Sequence, residues 1–187
     1  MASITLKNKR AIIKMRTAGQ LLAKIFEEVS QILSEGMSTL DLDAYVERRM
    51  REVGLVPSCK GYGGYRHATC ISVNDGVIHG VPSASLILKK GDCVKLDVVG
   101  SYEGYCADMA RTYVLGSENL IALRMRDVAQ RSLDEAIKKI KPGVKLGDVC
   151  AIIQTIVESA GFNVVRAYAG HGIGKNIHEE PEVPNFG

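Results

Sequence analysis

Apolar and polar residues in the first third of the chain follow the period of an α-helix. Between residues 7 and 34 apolar side chains recur at helical spacing, and Gly36 follows the last of them. This pattern predicts a long helix over residues 7–34. A second, shorter helix is predicted over residues 40–53, where Ser38 or Thr39 provides the N-cap.

The middle of the chain changes to the patterns of β-strands. Residues 68–115 read as strands that are interrupted by turn sequences at Asn74-Asp75-Gly76 and near Glu103-Gly104. Helical spacing then returns over residues 118–140 and 148–160. This order of elements predicts an α+β fold.

The helical segments also form an internal repeat. The stretch "EGMSTLDLDAYVERRMREVGL" (residues 35–55) aligns with "PGVKLGDVCAIIQTIVESAGF" (residues 142–162) at a fixed offset of 107 residues. Each stretch contains a glycine stop, a short helix and a second glycine stop. We interpret the chain as a single domain, residues 1–187, that contains duplicated halves of about residues 1–116 and 117–187.

Two aspartates occupy strand positions in "LDVVGSYEGYCADMAR". If the hairpin closes about Tyr102 and Glu103, Asp97 lies directly opposite Asp108, with Cβ atoms about 5 Å apart. Like charges at this distance destabilise a sheet unless one carboxyl is protonated or a cation lies between them. Because hard divalent ions prefer oxygen ligands, we predict a metal ion here. The alternative is a solvated hairpin face.

Three of the four histidines lie beside glycines or at a strand end. His79 lies in "NDGVIHGVP", and His171 and His178 lie in "AGHGIGKNIHEEPEVP". Glycine allows the close backbone approach that a ligand site often needs. His67 has no such setting and is predicted to be a surface residue. Aspartates together with histidines indicate metal-assisted hydrolysis.

Composition excludes several other classes of function. The net charge is +3, and the scattered Lys and Arg residues form no run typical of specific nucleic-acid binding. No apolar stretch approaches the roughly 18 residues that a membrane span needs. The N-terminal sequence lacks the apolar core of a secretory signal. The five cysteines include no Cys-x-x-Cys pair, which favours free thiols in a reducing cytoplasm.

Three ordered segments, "NDGVIHGVP", "DVVGSYEGYCADMARTYVLG" and "GHGIGKNIHEEPEVPNFG", resemble those of the bacterial type I methionine aminopeptidases of metallopeptidase family M24. The resemblance runs from the first helix to the last residue. It implies the pita-bread fold, in which pseudo-twofold halves surround a curved antiparallel sheet. It also implies removal of the initiator methionine from nascent proteins and peptides.

The resemblance implies a site for two divalent metal ions, which in such enzymes are Co, Mn, Fe, Zn or Ni. The ligands in this family are two aspartates, one histidine and two glutamates, of which Asp97, Asp108 and His171 match the first three. The glutamates belong to later motifs, for which Glu179, Glu180 and Glu182 are not substitutes. The repeat offset independently places a counterpart of Asp97 at about position 204, so this sequence is expected to end early.

The resemblance also assigns roles around the metal ions. His79 is expected to contact the nitrogen of the scissile amide, and His178 is expected to polarise its carbonyl group. The methionine pocket is expected to include Cys59, Tyr62, Tyr65 and Cys70, since polarisable thiols suit a thioether. The alternative is that these four are small core residues and loop anchors. Two positions depart from the family pattern: Gly63 replaces a common histidine, and Ile177 replaces a commonly aromatic residue.

The expected partners are nascent polypeptides that begin with methionine, near the ribosome, and the expected oligomeric state is a monomer. A proline-directed aminopeptidase of the same fold is one alternative. A catalytically incompetent binding module is another, because residues 1–187 alone are expected to bind at most one metal ion and to cleave poorly. A missing segment, supplied covalently or separately, would then restore activity.

Overall fold

Two helices begin the chain in the computed structural model, which describes residues 4–187. Helix α1 spans Lys9–Ile32 and helix α2 spans Thr39–Glu52, so both predicted helices are confirmed with slightly different ends. Of the two N-cap candidates, Ser38 caps α2 and forms a capping box with Asp41. The side chain of Asn8 caps α1.

An antiparallel sheet follows, as the strand pattern predicted. Its strands are β1 (Val56–Pro57), β2 (Thr69–Val73), β3 (Cys93–Tyr102) and β4 (Tyr105–Val114). Strand β3 pairs with β4 along one edge, and with β1 and β2 at successive positions along the other. The sequence did not predict β1, because two residues are too few to show alternation.

One face of this sheet packs against α1 and α2. Along β3, the side chains of Val94, Leu96 and Val98 are fully buried, whereas Lys95 and Asp97 are only half-buried. Successive side chains of β3 therefore point to opposite faces of the sheet. The apolar face packs into the core, and the opposite face carries the candidate functional side chains. The largest helix residues in this core are Leu22, Ile25, Phe26, Leu42 and Met50.

The register of the β3–β4 hairpin differs from the prediction. Its turn is centred on Glu103 and Gly104, which have φ values of 46° and 77°. A two-residue hairpin turn of this kind needs positive φ at both positions, which glycine adopts without strain and tyrosine does not. Asp97 consequently pairs with Ala110 rather than with Asp108. The predicted direct opposition is wrong: the two aspartates are diagonal neighbours on one face.

The chain divides into two compact units. The N-terminal unit comprises Thr5–Asn119 and Ile173–His178, and the C-terminal unit consists mainly of Leu120–Gly172 and Glu179–Gly187. The interpretation of these segments as duplicated halves stays a prediction. No helix within residues 4–187 is both long and apolar enough to span a membrane.

Helices and a short sheet make up the C-terminal unit. Helix α3 spans Leu120–Lys139 and helix α4 spans Leu146–Ser159, which confirms both predicted helices. Strand β5 (Gly170–Gly172) pairs antiparallel with β6 (Glu179–Val183). These strands were not predicted, because they are short and lie in a stretch rich in glycine and proline.

Candidate functional site

The two aspartates lie on the sheet face that points away from α1 and α2. Asp97 on β3 is half-buried, and Asp108 on β4 is exposed. Cys70 on β2 is the direct neighbour of Asp97 across the strands and therefore lies on the same face. Neighbouring strands thus bring two carboxylates and a thiol together in the N-terminal unit.

Cys59 is close enough to this group to be influenced by its charges. Burial, together with the smaller effects of Cys70, Asp97 and Asp108, raises the pKa of Cys59 to about 11. Burial also raises the pKa of Cys70. Both thiols are therefore protonated and uncharged at neutral pH, so they form an apolar, polarisable surface beside the carboxylates.

Cys59 in the metal-free protein is expected to react slowly with iodoacetamide at neutral pH, because little thiolate is present. The alkylation rate should rise toward a midpoint near pH 11, measured by mass spectrometry of the peptide that contains Cys59. The folded protein holds this proton more tightly than the unfolded chain does. The stability that this adds is lost as pH rises from the ordinary thiol range to about 11. A midpoint at the ordinary thiol value of 9.0 would contradict the burial of Cys59.

His79 lines a cavity of about 190 Å³ together with Asp97. The structure therefore brings these two predicted residues together in the N-terminal unit. The next residue, Gly80, fixes the loop that carries His79 to strand β2. Its carbonyl oxygen accepts from the N–H of Ile71 at 2.8 Å, and its own N–H donates to the Ser72 hydroxyl at 2.9 Å.

Replacing Gly80 by alanine is expected to displace His79. The added Cβ would lie 2.7 Å from the carbonyl carbon of Ile71 and 2.8 Å from the Cα of Ser72, and backbone atoms cannot yield easily. We expect a loss of about 1–3 kcal/mol in the free energy of unfolding. Denaturant unfolding measures it. Gly76→Ala is the control, since its nearest contact would be an ordinary 3.4 Å. Equal effects of the two changes would refute this explanation.

His178 contacts Tyr62, which is far from it in sequence. The Tyr62 hydroxyl lies 3.3 Å from Nδ1 of His178, and the ring centroids are 5.6 Å apart with a tilt of 46°. The loop that carries His178 is tied to β4, because the N–H of Cys106 donates to the carbonyl of Gly174 at 2.7 Å. The structure thus joins the predicted carbonyl-polarising histidine to a predicted pocket residue.

Tyr65, which lies close to Tyr62 in the chain, is held by its own hydrogen bonds. Its hydroxyl donates to the carbonyl oxygen of Thr69 at 2.8 Å, and it also interacts with Cys70. Burial is the main reason why the pKa of Tyr65 is raised, followed by the hydrogen bond with Cys70. Three of the four predicted pocket residues, Cys59, Tyr65 and Cys70, therefore influence one another. The fourth, Tyr62, meets His178.

The prediction that His67 is a surface residue is wrong. Its side chain is only 21% exposed, and its Nδ1 lies 3.1 Å from Oδ2 of Asp43. The reasoning from sequence also missed Asp43, which is buried on α2. A signal existed in the pattern: Asp43 lies among the buried positions of that helix, where a carboxylate requires partners. The other buried positions of α2 are Thr39, Leu42, Val46 and Met50.

His171 lies on β5 in the C-terminal unit, where it pairs with Glu182. Its Nδ1 is 3.0 Å from the carbonyl oxygen of Gly172. Because a carbonyl oxygen only accepts, Nδ1 of the ring must donate. The neutral imidazole then has its lone pair on Nε2, which is the form in which a histidine binds a metal ion.

The donor atoms of the predicted ligands suit a divalent metal. Within residues 4–187, no three His, Cys, Asp or Glu side chains already stand at positions that would hold an ion. Asp97 and Asp108 nevertheless offer carboxylate oxygens from adjacent strands, and His171 has the required tautomer. Carboxylate and imidazole together are the donors that Mn, Fe, Co, Ni and Zn accept. The ligand roles of these three residues stay predictions.

Curated proteins similar to this chain are methionine aminopeptidases. Methionine aminopeptidase 1 of Bacillus subtilis is 39% identical over 184 residues, which are 98% of this chain and 74% of that protein. The methionine aminopeptidase of Escherichia coli K12 is 38% identical over 185 residues, which are 98% of this chain and 70% of that protein.

Solved structures show the same fold. The methionine aminopeptidase of Thermotoga maritima matches with a TM-score of 0.96 and 42% identity, over 99% of this chain and 74% of that one. The prolidase of Pyrococcus horikoshii matches with a TM-score of 0.81 over 97% of this chain and 51% of that one. At 24% identity it shows a shared fold alone. The predicted pita-bread fold is confirmed.

The family model described as metallopeptidase family M24 matches residues 13–187. This range includes the histidines and aspartates discussed above. Metallopeptidases of this kind use divalent metal ions. From the family model and the relatives together, this chain belongs to metallopeptidase family M24.

Proposed function

We propose that this protein is a metal-dependent aminopeptidase that removes the N-terminal methionine from proteins and peptides. One observation carries the proposal. The uncharged thiol of Cys70 lies on the same sheet face as the carboxylates of Asp97 and Asp108, and the uncharged thiol of Cys59 is near enough to be influenced by both, in a chain of which 98% aligns with methionine aminopeptidases. This combines a surface for a thioether with ligands for a cation.

Asp97, Asp108 and His171 are proposed as metal ligands, and the number of ions is proposed to be two. Co, Mn, Fe, Zn and Ni all accept these donors. When bound, such ions supply a water molecule of lowered pKa for hydrolysis. The chain itself brings two carboxylates to one face. Their mutual repulsion favours a site that attracts positive charge.

His178 is proposed to hold the carbonyl group of the substrate. If the Tyr62 hydroxyl donates to Nδ1, the proton of the neutral ring lies on Nε2, which can then donate to the carbonyl oxygen. A donor aimed at that oxygen stabilises the negative charge that develops during attack. His79, beside Asp97 in the cavity, is proposed to contact the amide nitrogen.

The methionine side chain is proposed to lie against Cys59, Cys70, Tyr65 and Tyr62. Identity to methionine aminopeptidases reaches 42%, against 24% to a prolidase, which supports methionine over a proline-directed specificity.

All five cysteines lie in the described part of the chain and carry free thiols, which supports a cytoplasmic location. We further propose that the protein is a monomer and that it acts on nascent chains near the ribosome.

A peptide assay tests this function. The protein is incubated with Mn²⁺ or Co²⁺ and the peptide Met-Ala-Ser, and released methionine is measured by mass spectrometry. Leu-Ala-Ser and the dipeptide Met-Pro are compared in parallel, and a chelator-treated sample is the metal-free control. Release of methionine from Met-Ala-Ser that depends on the metal is the expected result, and residues 1–187 alone are expected to release it slowly. Cleavage of Met-Pro in preference, or cleavage that survives the chelator, would contradict the proposal.

A further inference from the structure

Asp43 is a buried carboxylate to which the chemistry proposed above gives no role. The residue is only 4% exposed and lies on α2 beside Leu42, which is fully buried. Burying a carboxylate is destabilising unless hydrogen bonds replace its contacts with water. The partners of Asp43 therefore indicate why a charged residue stands at this position.

Four hydrogen bonds reach Asp43, all of them from the residues that lead into β2. Its Oδ1 accepts from the N–H groups of Ala68 at 3.0 Å and Thr69 at 2.9 Å, and from the Thr69 hydroxyl at 2.8 Å. Its Oδ2 lies 3.1 Å from Nδ1 of His67. One side chain on a helix thus fixes three consecutive residues at the start of β2, which are His67, Ala68 and Thr69.

These three residues are linked directly to the proposed methionine pocket. The carbonyl oxygen of Thr69 accepts the hydroxyl of Tyr65, and the rings of Tyr65 and His67 meet edge-on with centroids 5.7 Å apart. The residue after Thr69 is Cys70, which pairs with Asp97. Asp43 is therefore connected to Tyr65 by two routes, through Thr69 and through His67.

The internal repeat argues that helix packing alone does not require this carboxylate. At the offset of 107 residues, Asp43 corresponds to Cys150 of α4, which is 1% exposed. The helix that the sequence repeat aligns with α2 therefore buries a small apolar side chain at the aligned position. The charge at Asp43 is better explained by the loop residues that it binds than by the packing of α2.

We propose that Asp43 is a positioning residue for substrate binding, which holds residues 67–69 so that Tyr65 and Cys70 keep their places in the methionine pocket. This proposal rests on the proposed function. The energetic reason is pre-organisation: a loop already held in its binding conformation loses less entropy when the ligand binds.

Two variants of Asp43 and one control on the same helix test the proposal. Asp43→Ala removes every acceptor, whereas Asp43→Asn keeps the Oδ1 oxygen that receives three of the four hydrogen bonds. Asp41→Ala is the control, because Asp41 caps α2 through the N–H and hydroxyl of Ser38. Its loss destabilises the helix without removing an acceptor from residues 67–69.

Kinetics and hydrogen exchange separate positioning from general destabilisation. For Met-Ala-Ser, Asp43→Ala should raise KM about tenfold while kcat changes by less than about threefold, since uniform binding is lost. Asp43→Asn should restore KM to within about threefold of the original. Exchange of the Ala68 and Thr69 amide protons should become faster in Asp43→Ala alone. Asp41→Ala should lower the melting temperature but leave KM unchanged.

Each of two results would overturn the proposal: an unchanged KM in Asp43→Ala, or an equal rise of KM in Asp41→Ala.

If Asp43→Ala does not fold, Thr69→Val removes one hydrogen bond with little change of shape. It should raise KM by about two- to threefold, and no change would count against the proposal. If the original protein does not cleave, the proposed function fails. The positioning role is then tested by amide exchange and by the dissociation constant of methionine, measured by calorimetry, in Asp43→Asn and Thr69→Val. Weaker binding in Thr69→Val supports the role, and unchanged binding counts against it.

Discussion

Replacing Asp97 by asparagine is expected to lower the affinity for divalent metal at least about 100-fold, because losing a ligand costs more than losing one of its outer partners. The amide keeps the shape of the carboxylate but not its charge. Cleavage of methionine peptides should be lost with the metal. Isothermal titration calorimetry with Mn²⁺ measures the affinity, and elemental analysis measures the bound metal.

The folded state should survive this change. Removing one of two like charges from diagonal positions should stabilise the metal-free protein slightly, by no more than about 0.5 kcal/mol. Glu103→Gln is the matched control, since it removes a carboxylate from the turn of the same hairpin. Glu103 pairs with Lys14 at an exposed site, where an ion pair contributes little. Metal content that is unchanged in Asp97→Asn would show that Asp97 is not a ligand.

Local sequence patterns were sufficient to predict the four helices and the strand region that contains β2, β3 and β4. Helices α1 to α4 all formed where apolar spacing placed them, because the helical period of their apolar residues is visible in the sequence. The inward face of β3 was equally predictable from alternation. These features depend on residues that are close together in the chain.

The register of the hairpin depends on the backbone conformation of its two turn residues. Whether the turn is centred on Tyr102-Glu103 or on Glu103-Gly104 is decided by which pair tolerates positive φ. The correct choice was available from Gly104, and the prediction of directly opposed aspartates overlooked it. A shift of this kind changes which residue Asp97 faces, although both aspartates stay on one side of the sheet.

Contacts between distant residues could not be predicted from local patterns. The Tyr62–His178 contact joins positions 116 residues apart, and the bond from Thr69 to Asp43 spans 26. The resemblance to a family named Tyr62 and His178 as separate site residues but did not place them in contact. Asp43 was missed because its partners lie 24 to 26 residues away in the chain, and two of its four hydrogen bonds come from backbone N–H groups, which every residue but proline carries.

Replacing His178 by alanine is expected to lower kcat about 10²–10³-fold, the usual cost of losing a donor to a developing oxyanion. Metal affinity should change little, because the proposed role is contact with the substrate carbonyl.

Tyr62→Phe keeps the ring beside His178 and removes only the hydroxyl, so kcat should fall about 3–10-fold through the loss of one hydrogen bond. His79→Ala, which removes the proposed contact with the amide nitrogen, should also lower kcat and retain metal. Steady-state kinetics and calorimetry on the same preparations separate the two effects. If His178→Ala or His79→Ala loses metal as completely as Asp97→Asn, that histidine is a ligand and its proposed role in contacting the substrate is wrong.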